Sequence, residues 1–421
     1  MFRGPNSKEQ SVRLMVITTI DATLDTFFHR QLTDMAKDGL AEQRFIIHAV
    51  SSPGRRLENL AYPGDGISGS ITPHAIPMER QPHPMRDLVS LWRLYRLMRR
   101  IRPHIVHVHT PKAGLLGMLA AKAAGVKVRI YTIHGLPLET RQGRLRQILE
   151  LAERATCLLA TQVYSVSKSL EQVIRGLHLC ADGKITTLGD GSCSGIDVKR
   201  FDPESIDQDA RAKVRAEFGI PPHAQVLCFV GRVARDKGIE FLAAAWQPLS
   251  LRFPDAHLLL CGSDDLSDPV SPATLEALRT HPRVHLMGPR YLDVPAIYAV
   301  SDVCVLPTFR EGLPQVALEA GAMGLPLVST RVTGVVDAVQ DGVTGLLVPA
   351  RDAAQLADAL ERLLRDATLR QTLGTAARRY VHSRFSSDRV HQMWMNEYSN
   401  CVRENFSRLE KAIPQAETGR L

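Results

Sequence analysis

Two glutamates eight positions apart, Glu311 and Glu319, stand in the segment DVCVLPTFREGLPQVALEAGAMGLP. Asp302–Thr308 reads as a buried strand, Phe309–Leu313 as a loop, and Pro314 sits where a first helical turn tolerates proline. The positive end of that helix then opens at a strand's carboxyl end, a natural seat for phosphate. Glu311 lies in the loop beside the seat and Glu319 in the second turn, so the pair can touch different parts of one extended ligand. A sugar nucleotide has that form, with its sugar at one end and its ribose at the other. A carboxylate beside a diphosphate is repelled unless cations intervene, and QVLCFVGRVARDKGIEF supplies them. Arg232 follows Gly231 at the end of a strand and Lys237 opens the next helix, where fixed cations could hold a diphosphate and stabilise the charge that grows as it leaves.

These residues need a scaffold that gathers strand ends. Short β-branched runs alternate with amphipathic segments: VRLMVITT, HIVHVHT, VRIYTIHG and VYSVS, each followed by a helical pattern. Such succession predicts crossover units and parallel sheets. The alternation breaks in FDPESIDQDARAKVRAEFGIPPHA, between about Phe201 and His223, and resumes with QVLCFVG, AHLLLCG, VHLMG, DVCVLPT and LPLVST. The fold class expected is therefore α/β, two Rossmann-like domains whose parallel sheets face a central cleft. The division expected is residues 1–203, residues 204–385, and a helix and tail at 386–421 that turns back toward the first domain and frays over its last ten residues. The dinucleotide fingerprint G-x-G-x-x-G follows neither opening strand, which argues against a dehydrogenase.

A chain of 421 residues, 44% hydrophobic and 23% charged, suits two globular domains. Seven scattered cysteines without a C-x-x-C pair point to reduced thiols and a cytoplasmic setting. The polar start of residues 1–20 predicts no signal peptide, and no apolar run approaches a membrane span. The net charge of +8 is concentrated in residues 81–160, which hold 14 Lys+Arg against 4 Asp+Glu. Without zinc-ligand spacing, an RNA-binding aromatic signature or a helix-turn-helix pattern, that excess does not indicate nucleic acid.

Glu311-x7-Glu319 together with GRVARDKG and DGVTGLLVPARD resembles the donor domain of glycosyltransferase family 4. VHVHTPKAGLLGMLAAKAAGVKVRIYTIHGLP resembles the acceptor domain of its capsule, exopolysaccharide and lipopolysaccharide branch. The resemblance runs over about residues 12–385 and implies the GT-B fold. It also implies retaining transfer from a nucleotide sugar, UDP-linked on family frequency, to a polyprenyl-diphosphate-linked saccharide. No cofactor and no metal are called for. In that reading Arg232 and Lys237 grip the diphosphate, Glu311 holds donor-sugar hydroxyls, and Glu319 bonds the ribose. Gly231 and the amides of Gly312 and Leu313 belong to the donor site, and His134 in TIHGLP reaches the donor sugar across the cleft. The sequence departs from the family at Thr18–Thr26, TTIDATLDT, which lacks the usual glycine-rich turn.

Two patterns are read as decoys. Asp207-Gln208-Asp209 spells the D-x-D of metal-dependent transferases but lies at a helix start, where acids favour the dipole. His107 and His109 share a strand face, with no third metal ligand evident. Rival functions are a sugar-nucleotide 2-epimerase and a catalytically silent subunit of a polysaccharide assembly complex. Finally, RDLVSLWRLYRLMRRIR at 86–102 predicts a helix with Leu88, Leu91, Leu94, Tyr95, Met98 and Ile101 on one side and Arg86, Arg93, Arg96 and Arg100 on another. Its basic side suggests peripheral attachment to an anionic membrane surface at the inner face of the plasma membrane.

Overall fold

The computed structural model describes residues 10–38, 43–60, 71–79, 81–288 and 293–412. The polar start at residues 1–9, and all of the fraying tail beyond residue 412, lie outside them.

Seven strands form the first sheet: β1 (Gln10–Ile17), β2 (Gln43–Ser51), β3 (Ile71–Ala75), β4 (Ile105–Val108), β5 (Val128–Ile133), β6 (Gln162–Ser165) and β7 (Ile185–Thr187), in the order β3-β2-β1-β4-β5-β6-β7. Six form the second: β8 (Val226–Val230), β9 (His257–Cys261), β10 (Val284–Met287), β11 (Val303–Leu306), β12 (Leu327–Thr330) and β13 (Gly345–Val348), in the order β10-β9-β8-β11-β12-β13. All pairings are parallel, and every residue of β4, β8, β9, β11 and β12 is buried, as helices on both faces require. In each sheet the strand order reverses beside the first strand, leaving a crevice at the carboxyl ends. The sequence reading did not single out β2, β3, β7 or β13. β3 and β7 are short edge strands, and β3 carries Pro73, which only an edge tolerates.

Two apolar cores follow the two sheets. Cys193 belongs to the first, Ile196, Phe201 and Val214 to the second, and Val390, Trp394 and Tyr398 of the closing helix Ser387–Ala412 return to the first. The chain thus crosses twice, and the two crossings are hydrogen-bonded: Ile196 N to Phe385 O at 2.7 Å and Ser387 N to Ile196 O at 2.8 Å. His391 adds a hold on the first half through Asp34, with Nδ1 at 3.0 Å from its Oδ2.

Candidate active site

The carboxyl ends of the two sheets face one another across a cavity of about 490 Å³. The second half contributes Gly231 and Arg232 after β8, Lys237, and the loop Glu311–Leu313 with Pro314, Gln315 and Val316 behind it. The first contributes Ile20, Thr26, Thr110, His134 and Cys193, among others. Seven of the eight residues singled out from sequence therefore line one cavity, and Glu319 is the exception.

Gly231 closes β8 with its amide on the Cys261 carbonyl at 2.9 Å. Arg232 is held by Asp265 and, at 3.4 Å, by Asp236. Asp236 also takes Arg310 at 3.2 Å. Lys237 ends a single helical turn, Arg235–Lys237, whose exit through Gly238 at φ 73° presses the backbone against the Pro307 carbonyl, where no side chain fits. That exit aims the Lys237 ammonium at Glu311, with which it forms an ion pair that is mostly shielded from solvent. Three cations, Arg232, Lys237 and Arg310, meet three carboxylates, Asp236, Asp265 and Glu311. The cluster is charge-balanced, so an entering diphosphate must take over partners that are already engaged.

The helix Gln315–Ala322 starts where the sequence predicts, with Pro314 as its N-cap residue. Among the described residues the amides of Gly312, Leu313, Gln315 and Val316 have no hydrogen-bond acceptor, which leaves an array of donors at the positive end of the helix. Glu319 lies partly buried behind this wall and accepts the Tyr298 hydroxyl at 3.0 Å. Burial raises its carboxyl pKa, against the lowering by the Tyr298 hydroxyl and Arg200. It is thus a held carboxylate, not an ordinary surface glutamate.

The two halves touch at the site itself. Ser167, which caps the helix Lys168–Gly176, donates to the Gly312 carbonyl at 2.6 Å. The backbone of Gly312 lies directly on that of His134. Leu313 packs against both cores. Gly334 N donates to Ser169 Oγ at 2.8 Å, and Thr333 Oγ1 to Glu139 Oε1 at 2.8 Å. The glycine-free segment Thr18–Thr26 is also part of the wall. It opens a helix at Asp21 that passes through a π-helical turn at Leu24–Phe28, presenting Ile20, Ala22, Thr23 and Thr26 to the cavity.

His134 faces the open cleft, yet the protein around it lowers its pKa to about 4 by desolvation, so the imidazole is neutral at pH 7. The sequence paired His107 with His109, but the fold separates their roles. His107 is fully enclosed, with Nδ1 at 2.6 Å from Tyr398 Oη and Nε2 at 2.7 Å from Thr132 Oγ1, so both nitrogens serve the core. His109 turns instead to His134, Nδ1 to Nε2 at 3.2 Å, and to Cys193, whose Sγ is 3.6 Å from the same nitrogen. No third ligand beside His107 and His109 was evident in the sequence; the fold brings His109, His134 and Cys193 together, with donor atoms within 4.8 Å of one another. Residues 86, 93, 96 and 100 lie elsewhere, on the helix Pro84–Ile101. Asp207 accepts the Ala210 amide at 2.7 Å as an N-cap, and neither it nor Asp209 reaches the cavity.

Asp236, Asp265, Tyr298, Ser167 and Cys193 were not found from sequence. Asp236 had a signal, since it sits between Arg232 and Lys237 in GRVARDKG. The others are brought in by distant segments and had none.

Comparison with known proteins bears on the whole arrangement. Residues 33–191 match the family described as Glycosyltransferase Family 4, and residues 224–366 that described as Glycosyl transferases group 1. The chain is 32% identical over 368 residues to the capsular polysaccharide biosynthesis glycosyltransferase CapM of Staphylococcus aureus, covering 87% of this chain and 93% of that one. It is 28% identical over 310 residues to an Escherichia coli UDP-Gal:alpha-D-GlcNAc-diphosphoundecaprenol alpha-1,3-galactosyltransferase, covering 72% and 78%. Among solved structures, a glycosyltransferase from Rickettsia africae superposes with a TM-score of 0.73 at 18% identity over 93% of this chain and 99% of its own. Anabaena Alr3699/HepE in complex with UDP and glucose gives 0.72 at 18% identity over 92% and 100%. These structural likenesses identify the fold as GT-B.

Proposed function

Because the chain belongs to glycosyltransferase family 4, we propose that it transfers a hexose or N-acetylhexosamine from a nucleotide-diphosphate sugar, with UDP as the nucleotide, to a saccharide carried on polyprenyl diphosphate during bacterial surface polysaccharide synthesis. The relatives with capsular polysaccharide and lipid-diphosphate-linked acceptors in their names support the acceptor class. The observation that carries the reading is the Lys237–Glu311 ion pair at the cavity wall, beside the free amides of Gly312 and Leu313. A diphosphate seated on those amides draws Lys237 and Arg232 to itself. Glu311, released from Lys237, then accepts hydroxyls of the donor sugar. Binding of the phosphate and recognition of the sugar are coupled through one exchanged partner.

Glu319, held by Tyr298, bonds the ribose of the bound nucleotide. His134, neutral at pH 7, adds a hydrogen bond to the donor sugar from the opposite half. As the glycosidic bond lengthens, charge gathers on the leaving diphosphate, where Arg232, Lys237 and the helix amides stabilise it. A leaving phosphate oxygen takes the proton of the acceptor hydroxyl on the same face of the sugar, so the anomeric configuration is retained. The protein groups meet the charge without a metal ion.

The deciding experiment is a panel of nucleotide sugars offered with a polyprenyl-diphosphate disaccharide, followed by NMR of the product anomer. Retained configuration with one preferred donor is expected. Release of an epimerised sugar nucleotide from donor alone would establish the 2-epimerase instead, and no turnover with any donor would point to the silent-subunit reading.

We also propose that the first half rests on an anionic membrane surface from one side; no helix among the described residues is long and apolar enough to cross a membrane. On the helix Pro84–Ile101, Leu94 and Met98 are buried, so the apolar stripe foreseen from sequence is mainly the core-facing side. Leu88 departs from it, and with Met85, Val89 and Trp92 it is exposed beside Arg93, Arg96 and Arg100. Among the described residues these three arginines have no acidic partner, whereas Arg86 pairs with Glu79. Exposed Ile148, Leu151 and Leu158 on the helix Gly143–Leu159 add apolar surface in the same half. This position would present the cleft to a lipid-borne acceptor on the cytoplasmic side.

A further inference from the structure

The donor group His109, His134 and Cys193 has no part in the transfer chemistry beyond His134, yet its geometry is specific. Ligands of a tetrahedral zinc ion with Zn–N of about 2.05 Å and Zn–S of about 2.3 Å stand roughly 3.3 Å apart for N···N and roughly 3.6 Å for N···S. His109 Nδ1 and His134 Nε2 are 3.2 Å apart, and His109 Nδ1 and Cys193 Sγ 3.6 Å. The three donor atoms all lie within 4.8 Å of one another. Two edges of the tetrahedral face thus stand at coordination distance with no ion present.

The supports are rigid. The His109 ring lies between Phe28, with centroids 4.2 Å apart, and His107, 3.9 Å apart. His107 is itself tied on both nitrogens, and His109 and Cys193 are 2% and 4% exposed. His134 and Cys193 line the cavity while His109 lies behind them, so an ion arrives through the cavity and keeps a fourth position facing it, the arrangement of an open rather than a closed structural site. One thiol and two imidazoles suit a borderline-soft cation and do not suit magnesium or calcium.

We infer that the cleft floor is a binding site for a thiophilic divalent cation of the zinc class, held by His109 Nδ1, His134 Nε2 and Cys193 Sγ, and that its occupation inhibits transfer. On binding, the Cys193 S–H bond breaks, its proton passes to solvent, and the thiolate and two nitrogen lone pairs bond the metal. The site stands on geometry alone. The inhibition rests on the proposed role of His134, because an ion bound at its ring occupies the cleft floor where that side chain would meet the donor sugar.

The test uses the full chain, stripped by chelation and titrated with Co²⁺ and then Zn²⁺. One equivalent of Co²⁺ should give a thiolate-to-cobalt charge-transfer band in the near ultraviolet, bleached by Zn²⁺. Cys193→Ala should lose the band and bind Zn²⁺ about tenfold or more weakly. No band in the wild type, or the same band in Cys193→Ala, overturns the site. Should Cys193→Ala fail to fold, zinc X-ray absorption on the wild type decides: one sulfur and two nitrogens in the shell are expected, and a shell without sulfur overturns it. Turnover is read separately at each metal increment. Metal bound at this site without loss of transfer overturns the inhibition, and with it the role of His134, while leaving the site itself standing.

Discussion

A side-chain carbon on Gly312 would collide with the backbone carbonyl of His134, so the donor-side loop and the acceptor-side strand end meet with no room for a single methyl group. The same glycine accepts Ser167 from the first half. Closure of the cleft is thus set by backbone against backbone, at the point where donor phosphate and sugar are proposed to lie.

Gly312→Ala should therefore force the loops apart, at a cost of about 1–3 kcal/mol. We expect kcat/KM for the donor to fall roughly ten- to hundredfold, with circular dichroism unchanged. Gly176→Ala, where an added carbon meets nothing within 4 Å, is the matched control and should leave kinetics unaltered. Normal kinetics in Gly312→Ala would mean the two halves do not close on this contact during turnover.

Arg232→Ala and Lys237→Ala should each lower kcat by about 10²-fold or more, since each is proposed to stabilise leaving-group charge. The effects should not add, because both serve one diphosphate. Glu311→Gln should also spoil sugar selection, raising donor KM. A folded double variant with near-normal turnover would remove the diphosphate assignment.

Transfer should persist in excess EDTA, because side-chain cations and helix amides face the phosphates. If adventitious zinc occupies the cleft floor, chelation should raise the rate. Complete loss of activity, restored by magnesium or manganese, would contradict a metal-free reaction.

Glu153 is 4% exposed and accepts the Tyr131 hydroxyl at 2.9 Å, and burial raises its pKa from 4.5 to about 7. A carboxyl raised on folding contributes stability below its unfolded pKa that is lost as pH climbs through the folded value. Glu153→Gln lacks this dependence. The variant's unfolding free energy relative to wild type should rise by about 2–3 kcal/mol between pH 4.5 and pH 8. Urea midpoints at four pH values measure it, and a difference independent of pH would show that folding does not raise the Glu153 pKa.

Co-sedimentation with liposomes addresses the membrane proposal. Binding should require anionic lipid, weaken with salt, and fall on changing Arg93, Arg96 and Arg100 to Glu, by about 1 kcal/mol for each well-placed cation lost. Equal binding to neutral liposomes, or no effect of the triple change, would dismiss the helix as an anchor while leaving the transferase activity untouched.

Strand–helix alternation was enough to predict two parallel-sheet domains, because 2- and 3.6-residue periodicities record burial on every element of sufficient length. It missed β2, β3, β7 and β13; β3, β7 and β13 are short strands at a sheet edge, where fewer neighbours constrain the residue type, whereas β2 is long and internal and shows no such reason. The cavity-lining residues were legible for a similar reason: Arg232, Lys237, Glu311 and Gly312 each follow a strand end by a short loop, and a parallel sheet brings strand ends together whatever the loops do. Nothing local in the sequence linked Lys237 to Glu311, Tyr298 to Glu319, or Ser167 to Gly312, since each pair joins segments distant along the chain. The histidines show the division most clearly. His107 and His109, two apart at the end of β4, were set aside as a metal pair for want of a third ligand; the folded chain gives His107 to Tyr398 of the returning helix and turns His109 toward His134 and Cys193. Residue type and local spacing therefore determined which groups could do chemistry at strand ends. Tertiary structure decided which of them are neutralised, buried or paired, because desolvation and hydrogen bonding depend on neighbours from every packed element, not on the few residues adjacent in sequence.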